Sequence, residues 1–270
     1  MIKADHIGVA IGARTILRDI SFTALPGEIT AVIGPNGSGK STLMKALCRD
    51  YPYAGTIAIN GRDLAGMDLA TAAGMRAVLP QASTLPFPFT VREVVALGLT
   101  AGLPGVSLAA LRKLPDEALA RVDLAGFGGR FYGELSGGEQ QRVQLARVIC
   151  QVWVPVLDGM PRYLFLDEPV SSLDIKHQLM IMDVARQFAN AGGGVIAILH
   201  DLNLAAMYAD RILAIRQGQV AGFGPPREVL TNAVIEAVFD CPMRVGVLPA
   251  NDIPFVLPQS AASGVKLASR

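Results

Sequence analysis

The sequence is short of net charge, of cysteine and of long apolar runs. Its 24 basic and 23 acidic residues leave a net charge of +1 over 270 residues. Proteins that bind nucleic acids usually carry a basic surplus or stripe, so this balance gives no support to a nucleic-acid partner. Three cysteines, Cys48, Cys150 and Cys241, are widely spaced and odd in number. They indicate neither a disulfide framework nor a zinc site.

The apolar content is high, and yet it lies in short runs. Mean hydropathy is +0.40, whereas a membrane span needs roughly 18 or more consecutive apolar residues. The most apolar runs, at residues 31–33 and 195–199, read better as buried parallel strands. The N-terminus lacks the apolar region of a signal peptide. The protein is therefore expected to stay in a reducing cytoplasm.

Apolar patterning and turn signals predict strands that alternate with helices. Strands are predicted at residues 2–11, 16–25, 28–33, 56–60, 76–80, 163–167, 194–199, 212–215 and 219–223. Helices are predicted from Lys40, across 90–125 with an interruption at 102–105, and at 139–152, 175–190 and 205–208. This alternation predicts an α/β fold with a mostly parallel core sheet. A helical stretch at about 85–145 is inserted in one domain at 1–257, and residues 258–270 are expected to form a flexible tail.

A phosphate loop is predicted where the third strand ends. Residues 34–41 match G-x-x-x-x-G-K-[ST] between an apolar strand and a helix, the context that this motif requires. Lys40 can reach β- and γ-phosphates and the Ser41 hydroxyl can ligate Mg²⁺. The alternative is a glycine-rich turn that only packs a helix on a strand. The predicted nucleotide-binding residues are Gly34, Pro35, Asn36, Gly37, Ser38, Gly39, Lys40, Ser41 and Thr42.

Two carboxylates follow the apolar strand at residues 163–167. Asp167 is predicted to hold Mg²⁺ indirectly or through Ser41, and Glu168 to orient and polarise the attacking water. A strand followed by a solvated acidic turn is the alternative. The phosphate loop upstream favours the catalytic interpretation.

A second anion site is predicted at the start of a later helix. The run Leu135-Ser136-Gly137-Gly138-Glu139-Gln140-Gln141-Arg142 places two glycines before that helix, whose N-terminus attracts anions. One phosphate loop already supplies the contacts to one nucleotide within the same chain. The second site therefore suits the γ-phosphate held by a second copy. A helix start with no ligand is the alternative.

These motifs together resemble the nucleotide-binding subunits of ABC transporters, whose signature is LSGGQ, with Glu139 in the last position here. The resemblance covers about residues 1–240. It implies a P-loop NTPase core, an antiparallel β subdomain and a helical subdomain. It also implies a head-to-tail homodimer that holds two ATP molecules with Mg²⁺. Each ATP would lie between residues 34–42 of one subunit and Ser136, Gly137, Gly138 and Glu139 of the other.

Further roles follow from the resemblance position by position. Gln81 resembles the glutamine that senses Mg²⁺ and links to the membrane subunit. Asp174 ends a run, residues 171–174, that resembles the D-loop. His200 resembles the histidine that contacts the γ-phosphate, although a lone histidine at a strand end is often a structural cap. The other histidines, His6 and His177, are expected to be surface or packing residues.

One position departs from the family. An aromatic residue usually stacks on adenine upstream of the phosphate loop, and the corresponding residue here is Ile11. An aliphatic side chain covers a base without the added energy of aromatic stacking. Arg14 could partly substitute by laying its guanidinium on the ring. Weak discrimination between ATP and GTP is expected.

Through residues 199–206 and 224–230, the chain resembles the subunits that serve iron-siderophore, haem and cobalamin uptake. Residues 151–162 and the tail at 244–257 resemble haem importers in particular. The alternative is that 151–162 is an ordinary surface loop in which Trp153 packs. Haem import is therefore expected, with siderophore or cobalamin import as the alternatives. A non-transport ABC ATPase that acts on DNA or ribosomes and a regulatory ATP sensor are less favoured.

The implied location is the cytoplasmic face of the bacterial inner membrane, without insertion. The partners would be transmembrane permease subunits and, indirectly, a periplasmic substrate-binding protein. Docking on the permease is expected in a groove beside Gln81, lined by residues 86–89 and the helix from Val91. Leu85, Phe87 and Phe89 could instead be ordinary core residues.

Overall fold

A computed structural model describes residues 1–81, 87–100, 107–171, 173–249 and 253–260. Several sequence predictions lie outside these residues. They are the interruption at 102–105, the docking residues Leu85 and Pro86, position 172 of the predicted D-loop, and 261–270 of the predicted tail.

Strands and helices alternate along the described part of the chain. The strands are β1 (Ile2–Ile11), β2 (Arg14–Ala24), β3 (Ile29–Ile33), β4 (Ala54–Ile59), β5 (Arg62–Asp63), β6 (Arg76–Leu79), β7 (Val156–Leu157), β8 (Met160–Pro161), β9 (Tyr163–Asp167), β10 (Gly194–Ile198), β11 (Arg211–Arg216) and β12 (Gln219–Gly224). The helices are α1 (Lys40–Cys48), α2 (Leu69–Met75), α3 (Val91–Ala96), α4 (Leu108–Leu111), α5 (Leu114–Arg121), α6 (Gly137–Gln151), α7 (Ile175–Asn190), α8 (Leu202–Tyr208), α9 (Pro226–Val229) and α10 (Asn232–Phe239).

The core is a six-stranded sheet in the order β12-β11-β3-β10-β9-β6. Its neighbouring strands pair in parallel, apart from the antiparallel pair of β11 and β12. Strands β3, β9 and β10 are buried along their whole length, as expected for parallel strands covered on both faces. The predicted mostly parallel α/β core is confirmed.

A second sheet, in the order β2-β1-β4-β5, is antiparallel. Its buried face contributes Ile7, Leu17, Ile20 and Ile57 to a core cluster that also contains Leu43 of α1. Strand β2 begins at Arg14, two residues before the predicted start, and β4 begins at Ala54. This sheet therefore packs against the helix that follows the phosphate loop.

The inserted helical part contains several short helices before α6. The predicted helix at 90–125 is replaced in the described residues by α3, a 3₁₀ turn at Leu97–Leu99, α4 and α5. Helix α6 begins at Gly137, two residues before the predicted start, because Ser136 and Glu139 form a capping box at its N-terminus. On α6, the Arg142 guanidinium donates to the carbonyl oxygens of Val122 and Asp123 at 3.1 and 3.0 Å.

The segment at 151–162 contains a small hairpin, β7–β8, that the sequence did not predict. Asn60 Nδ2 donates to the Pro161 carbonyl at 2.8 Å, and the Arg121 guanidinium lies 3.8 Å from the ring centroid of Trp153.

Helices α2, α9 and α10 were also not predicted. Of the predicted tail, Pro258–Ser260 form a 3₁₀ turn. Within the described residues, no helix has the length and apolarity needed to cross the bilayer.

Gly218, in the turn between β11 and β12, joins the two sheets behind the phosphate loop. Its N–H donates to the Ser38 carbonyl at 2.9 Å, and its own carbonyl accepts from the Arg18 N–H at 2.7 Å. Its φ is +77°, and an added Cβ would lie 1.9 Å from the Ile16 carbonyl oxygen. Gly61 also has a φ of +77°, with nothing within 4 Å of an added Cβ.

Gly218 and Gly61 together allow a matched test of the packing around Gly218. Both Gly218→Ala and Gly61→Ala introduce the same backbone strain, whereas Gly218→Ala alone adds a steric clash. We expect Gly218→Ala to lower the free energy of unfolding by about 1–3 kcal/mol more than Gly61→Ala. Denaturant unfolding measures the difference. Equal losses would contradict the packing described here.

Candidate nucleotide-binding and hydrolysis site

The predicted phosphate loop lies between β3 and α1 and borders an open cavity of about 290 Å³. The loop at 34–42 contributes six residues to its wall, and the turn after β9 contributes Glu168. The lining residues are Arg14, Ile16, Asn36, Gly37, Gly39, Lys40, Ser41, Thr42 and Glu168. The structure thus brings the loop and the predicted catalytic carboxylate to one cavity.

The loop conformation depends on glycine at its first position. Gly34 has a φ of +151°, and an added Cβ would lie 2.2 Å from the Ile215 carbonyl oxygen. At the other end, Gly39 is the N-cap of α1 and offers no side-chain acceptor to the first turn of the helix. The N–H groups of that turn have no partner within the helix. They can therefore bind an anion such as a phosphate.

Lys40 is held against the inner side of the loop. Its Nζ donates to the carbonyl oxygens of Gly34 and Pro35 at 2.9 and 3.0 Å. Burial lowers the pKa of Lys40, while the carboxylates of Glu168 and Asp167 act in the opposite direction. A cation at this place suits the β- and γ-phosphates of a nucleotide.

Asp167 ends β9 and is only 8% exposed. Burial, and then the neighbouring Glu168, raise the pKa of Asp167, whereas Lys45, Lys40 and the Ser41 hydroxyl act in the opposite direction. Its Oδ1 has no hydrogen-bond partner among the described residues. A buried carboxylate with a free oxygen beside a hydroxyl fits Mg²⁺, which usually takes one or two carboxylates, water and substrate phosphates.

The structure joins Gln81, Glu168 and His200 through one carboxylate. Glu168 Oε2 accepts from Gln81 Nε2 at 2.8 Å, and Glu168 Oε1 lies 2.8 Å from His200 Nε2. Gln81 follows β6, Glu168 follows β9, and His200 follows β10. The three predicted catalytic residues therefore meet across three neighbouring strands. His200 therefore contacts Glu168, the predicted catalytic base. A histidine that only capped a strand would not need this contact.

The backbone at Glu168 is strained. Its φ is +53°, in the left-handed region that few residues other than glycine adopt. Such conformations cost of order 1–3 kcal/mol and cluster at active sites. Gln141, on α6, donates through Nε2 to the Pro169 carbonyl at 3.2 Å. This contact joins α6, which begins in the signature run, to the turn that carries Glu168. In the sequence, the only sign of this contact is the position of Gln141 within the signature run.

The predicted signature residues border a separate cavity of about 240 Å³. Its lining residues are Ser136, Gly138, Glu139, Arg142, Leu173, Asp174 and His177. Asp174 of the predicted D-loop is therefore on this wall, together with His177. Gly137 is the first residue of α6, next to this wall. Among the described residues, this cavity and the phosphate-loop cavity share no lining residue.

Ser136 and Glu139 bond to each other within the capping box. Glu139 Oε2 accepts from the Ser136 N–H at 2.8 Å and from the Ser136 hydroxyl at 2.7 Å. The hydrogen bonds from Ser136 lower the pKa of Glu139. A carboxylate can only accept, so the single Ser136 hydroxyl proton is directed at Glu139.

Ile11, the predicted adenine contact, is 46% exposed and lines neither the phosphate-loop cavity nor the cavity next to it. It lies opposite Arg14 in the β1–β2 hairpin. Arg14 and Ile16 line the cavity wall instead. The side chains of this hairpin that line the cavity therefore belong to β2, and the adenine contact of Ile11 stays a prediction.

Comparisons with known proteins show the family of the chain. The family profile described as "ABC transporter" matches residues 17–171. "Hemin import ATP-binding protein HmuV" of Mesorhizobium japonicum is 63% identical over 97% of this chain and 99% of that protein. The protein of that name from Rhizobium meliloti is 57% identical, with the same coverage of 97% and 99%. A solved structure described as the ATP-binding subunit of an ABC transporter has a TM-score of 0.75 at 26% identity, over 89% of this chain and 96% of that chain.

The chain therefore belongs to the ABC transporter family, and its fold is the predicted ABC ATPase fold. Within that family it is an ATP-binding subunit, an ATPase of the transport type.

Burial of Asp167 generates a prediction about stability. Because its pKa is raised, the folded protein holds this proton more tightly than the unfolded chain. The stabilising contribution is present below the ordinary Asp pKa and is lost as the pH rises through the raised pKa. We expect Asp167→Asn to increase the free energy of unfolding of the nucleotide-free protein at pH 7 by about 0.5–2 kcal/mol.

The gain should vanish below about pH 4, where aspartate itself is protonated. Denaturant unfolding at both pH values measures this effect. Glu236→Gln, on the exposed face of α10, is the control and should change stability by less than about 0.5 kcal/mol. A loss of stability in Asp167→Asn at pH 7 would contradict the prediction.

Proposed function

We propose that this protein is the ATP-hydrolysing subunit of a haem importer. The observation that carries the proposal is the 63% identity to a hemin import ATP-binding protein over 97% of the chain. The segment at 151–162, which contains the β7–β8 hairpin, and the tail at 244–257 resemble those of haem importers and also support haem as the substrate. The substrate passes through the membrane partner, so no residue of this chain acts as a haem ligand.

In this proposal, residues 1–257 act as one ATP-binding domain, with the helical subdomain at about 85–145. The loop at 34–42 holds the phosphates of ATP, and Lys40 contacts the β- and γ-phosphates. Glu168 orients and polarises the attacking water. His200 contacts the γ-phosphate. The support is the meeting of Gln81, Glu168 and His200 beside the loop.

Three residues are proposed to hold Mg²⁺. Ser41 would ligate the ion, Asp167 would hold it indirectly or through Ser41, and Gln81 would sense it. The ion neutralises negative charge on the phosphates when it is bound. Support comes from the free Oδ1 of the buried Asp167 and from the Ser41 hydroxyl next to it.

Two copies are proposed to pair head to tail. Each nucleotide lies between the loop at 34–42 of one copy and Ser136–Glu139 with Asp174 of the other. ATP binds the closed pair better than the open pair because its γ-phosphate contacts both subunits, and hydrolysis removes that contact. Permease subunits dock beside Gln81, near the exposed Phe87. The pair works at the cytoplasmic face of the inner membrane, and a periplasmic binding protein delivers the substrate to the permease.

The test is transport by the protein assembled with its cognate permease in vesicles. We expect ATP-dependent uptake of haem, and little uptake of a ferric siderophore or cobalamin. Glu168→Gln keeps the phosphate loop and removes the base, so it should lower uptake and hydrolysis at least about 100-fold. Preferred uptake of a siderophore or cobalamin would contradict the substrate assignment. Uptake that persists in Glu168→Gln would contradict the assignment of the base.

A further inference from the structure

The cavity of about 240 Å³ beside Ser136, called the signature cavity below, has walls from two parts of the chain. One wall is the start of α6, in the helical part, and the other is the start of α7, which packs on the core sheet. The walls approach closely, because a Cβ added to Gly138 would lie 3.0 Å from Leu173 Cδ2. A small change in the spacing of α6 and α7 therefore changes the shape of this cavity.

His177, in the first turn of α7, lies where the two parts meet, and its side chain is only 18% exposed. Its Nδ1 lies 2.9 Å from both carboxylate oxygens of Asp174, the N-cap of α7. Its Nε2 lies 3.8 Å from Oδ2 of Asp123, which follows α5 in the helical part. The Asp123 carbonyl in turn accepts from Arg142 of α6 at 3.0 Å. One imidazole ring therefore stands between a carboxylate of the core and a carboxylate connected to α6.

The number of protons on the ring decides how many of these contacts are hydrogen bonds. An ionised carboxylate only accepts, and a neutral imidazole has a single N–H. The short contact with Asp174 uses that N–H, which leaves Nε2 of His177 as an acceptor that faces a second acceptor. The 3.8 Å between Nε2 and Asp123 is about 1 Å longer than an ordinary N–H···O bond. A protonated ring has an N–H on both nitrogens and can bond to Asp174 and Asp123 together.

Both carboxylates that face the ring are held in the charged form. Hydrogen bonds from the His177 N–H and from its ring lower the pKa of Asp174. A hydrogen bond from Lys176, at 2.8 Å, does most to lower the pKa of Asp123, and burial opposes it. Among the described residues, the charged groups that contact the ring or line the same cavity are Asp123, Glu139, Arg142, Asp174 and Lys176.

We propose that His177 is a positioning residue whose protonated ring joins Asp174 to Asp123 and so fixes the spacing of α6 and α7 at the signature cavity. The proposal rests on the proposed head-to-tail pair, in which this cavity receives the γ-phosphate held by the other copy. A cavity that is already held at one spacing loses less freedom when the second copy closes on it. The pair therefore forms at a lower ATP concentration when the ring is protonated.

A different role for the same proton is direct attraction of the phosphate by the charge of the ring. The two roles predict opposite effects of Asp123→Asn. Asparagine tolerates the left-handed backbone at this position, where φ is +58°, and it removes a negative charge. If charge alone matters, this loss favours an anion in the cavity. If the ring must join two carboxylates, the loss of a charge-assisted bond weakens the pair.

The experiment uses the full chain with Glu168→Gln, in which ATP is not consumed, and measures by light scattering the ATP concentration that gives half-maximal dimer. For this parent the concentration should be at least about 3-fold lower at about pH 6 than at about pH 8, since histidine changes charge in this range. At about pH 6, His177→Gln and Asp123→Asn should each raise the concentration at least about 3-fold. The double variant should raise it no further, because both changes break the same connection.

His6→Gln is the matched control, because His6 also contacts a carboxylate, that of Asp19 at 2.5 Å, and does not line the signature cavity. It should keep the pH response of the parent. Lys176→Gln leaves the contacts of His177 in place and should also keep that response. Titration of ATP itself is common to every variant, so the comparison removes it. The ATP affinity of the monomer should equal that of the parent in each variant, which shows that the fold is intact.

Two results would overturn the positioning role. One is a His177→Gln protein that dimerises at the same ATP concentrations as the parent at both pH values. The other is an Asp123→Asn protein that needs less ATP than the parent, which would favour direct attraction of the phosphate. If the parent does not dimerise with ATP at either pH, the proposed pair itself fails, which is a distinct result.

Discussion

Four neighbouring parallel strands, β3, β10, β9 and β6, end at the same edge of the core sheet. The ends of these strands and the segments that follow them carry the phosphate loop, His200, the Asp167–Glu168 pair and Gln81. Parallel pairing forces these segments together although they lie far apart in the sequence. The positions of the candidate binding and catalytic residues relative to one another are therefore set first by the register of this sheet and only then by local motifs.

The carboxylate of Glu168 is where these segments make contact. It bonds to Gln81 on one side and meets His200 on the other, both at 2.8 Å. Gln141 connects the helical part of the molecule to the same turn, because its side chain donates to the Pro169 carbonyl. Movement of α6 or of the segment after β6 would therefore displace the proposed catalytic base. This connection offers a physical route by which a partner docked near Gln81 could influence hydrolysis.

The sequence predicted best where local signals and tertiary structure agree. The bounds of β9 and α7 match their predictions because a continuous apolar run defines β9 and Asp174 caps α7. The short helices at 91–121 and the β7–β8 hairpin depend instead on packing partners elsewhere in the chain, which a local pattern does not contain. A local pattern also does not show which side chains of a hairpin face a cavity: Arg14 and Ile16 line the wall of the phosphate-loop cavity, and Ile11 does not.

Ser136 is proposed to serve the nucleotide of a second copy, because its cavity shares no described lining residue with the phosphate-loop cavity. The decisive measurement combines light scattering with ATP affinity in a Glu168→Gln background, in which ATP is not consumed. We predict that ATP converts the background protein to a dimer. Adding Ser136→Ala should prevent that dimer and leave the ATP affinity of the monomer unchanged, whereas adding Lys40→Ala should abolish both. A Ser136→Ala protein that still dimerises, or whose monomer loses ATP affinity as Lys40→Ala does, would contradict the account.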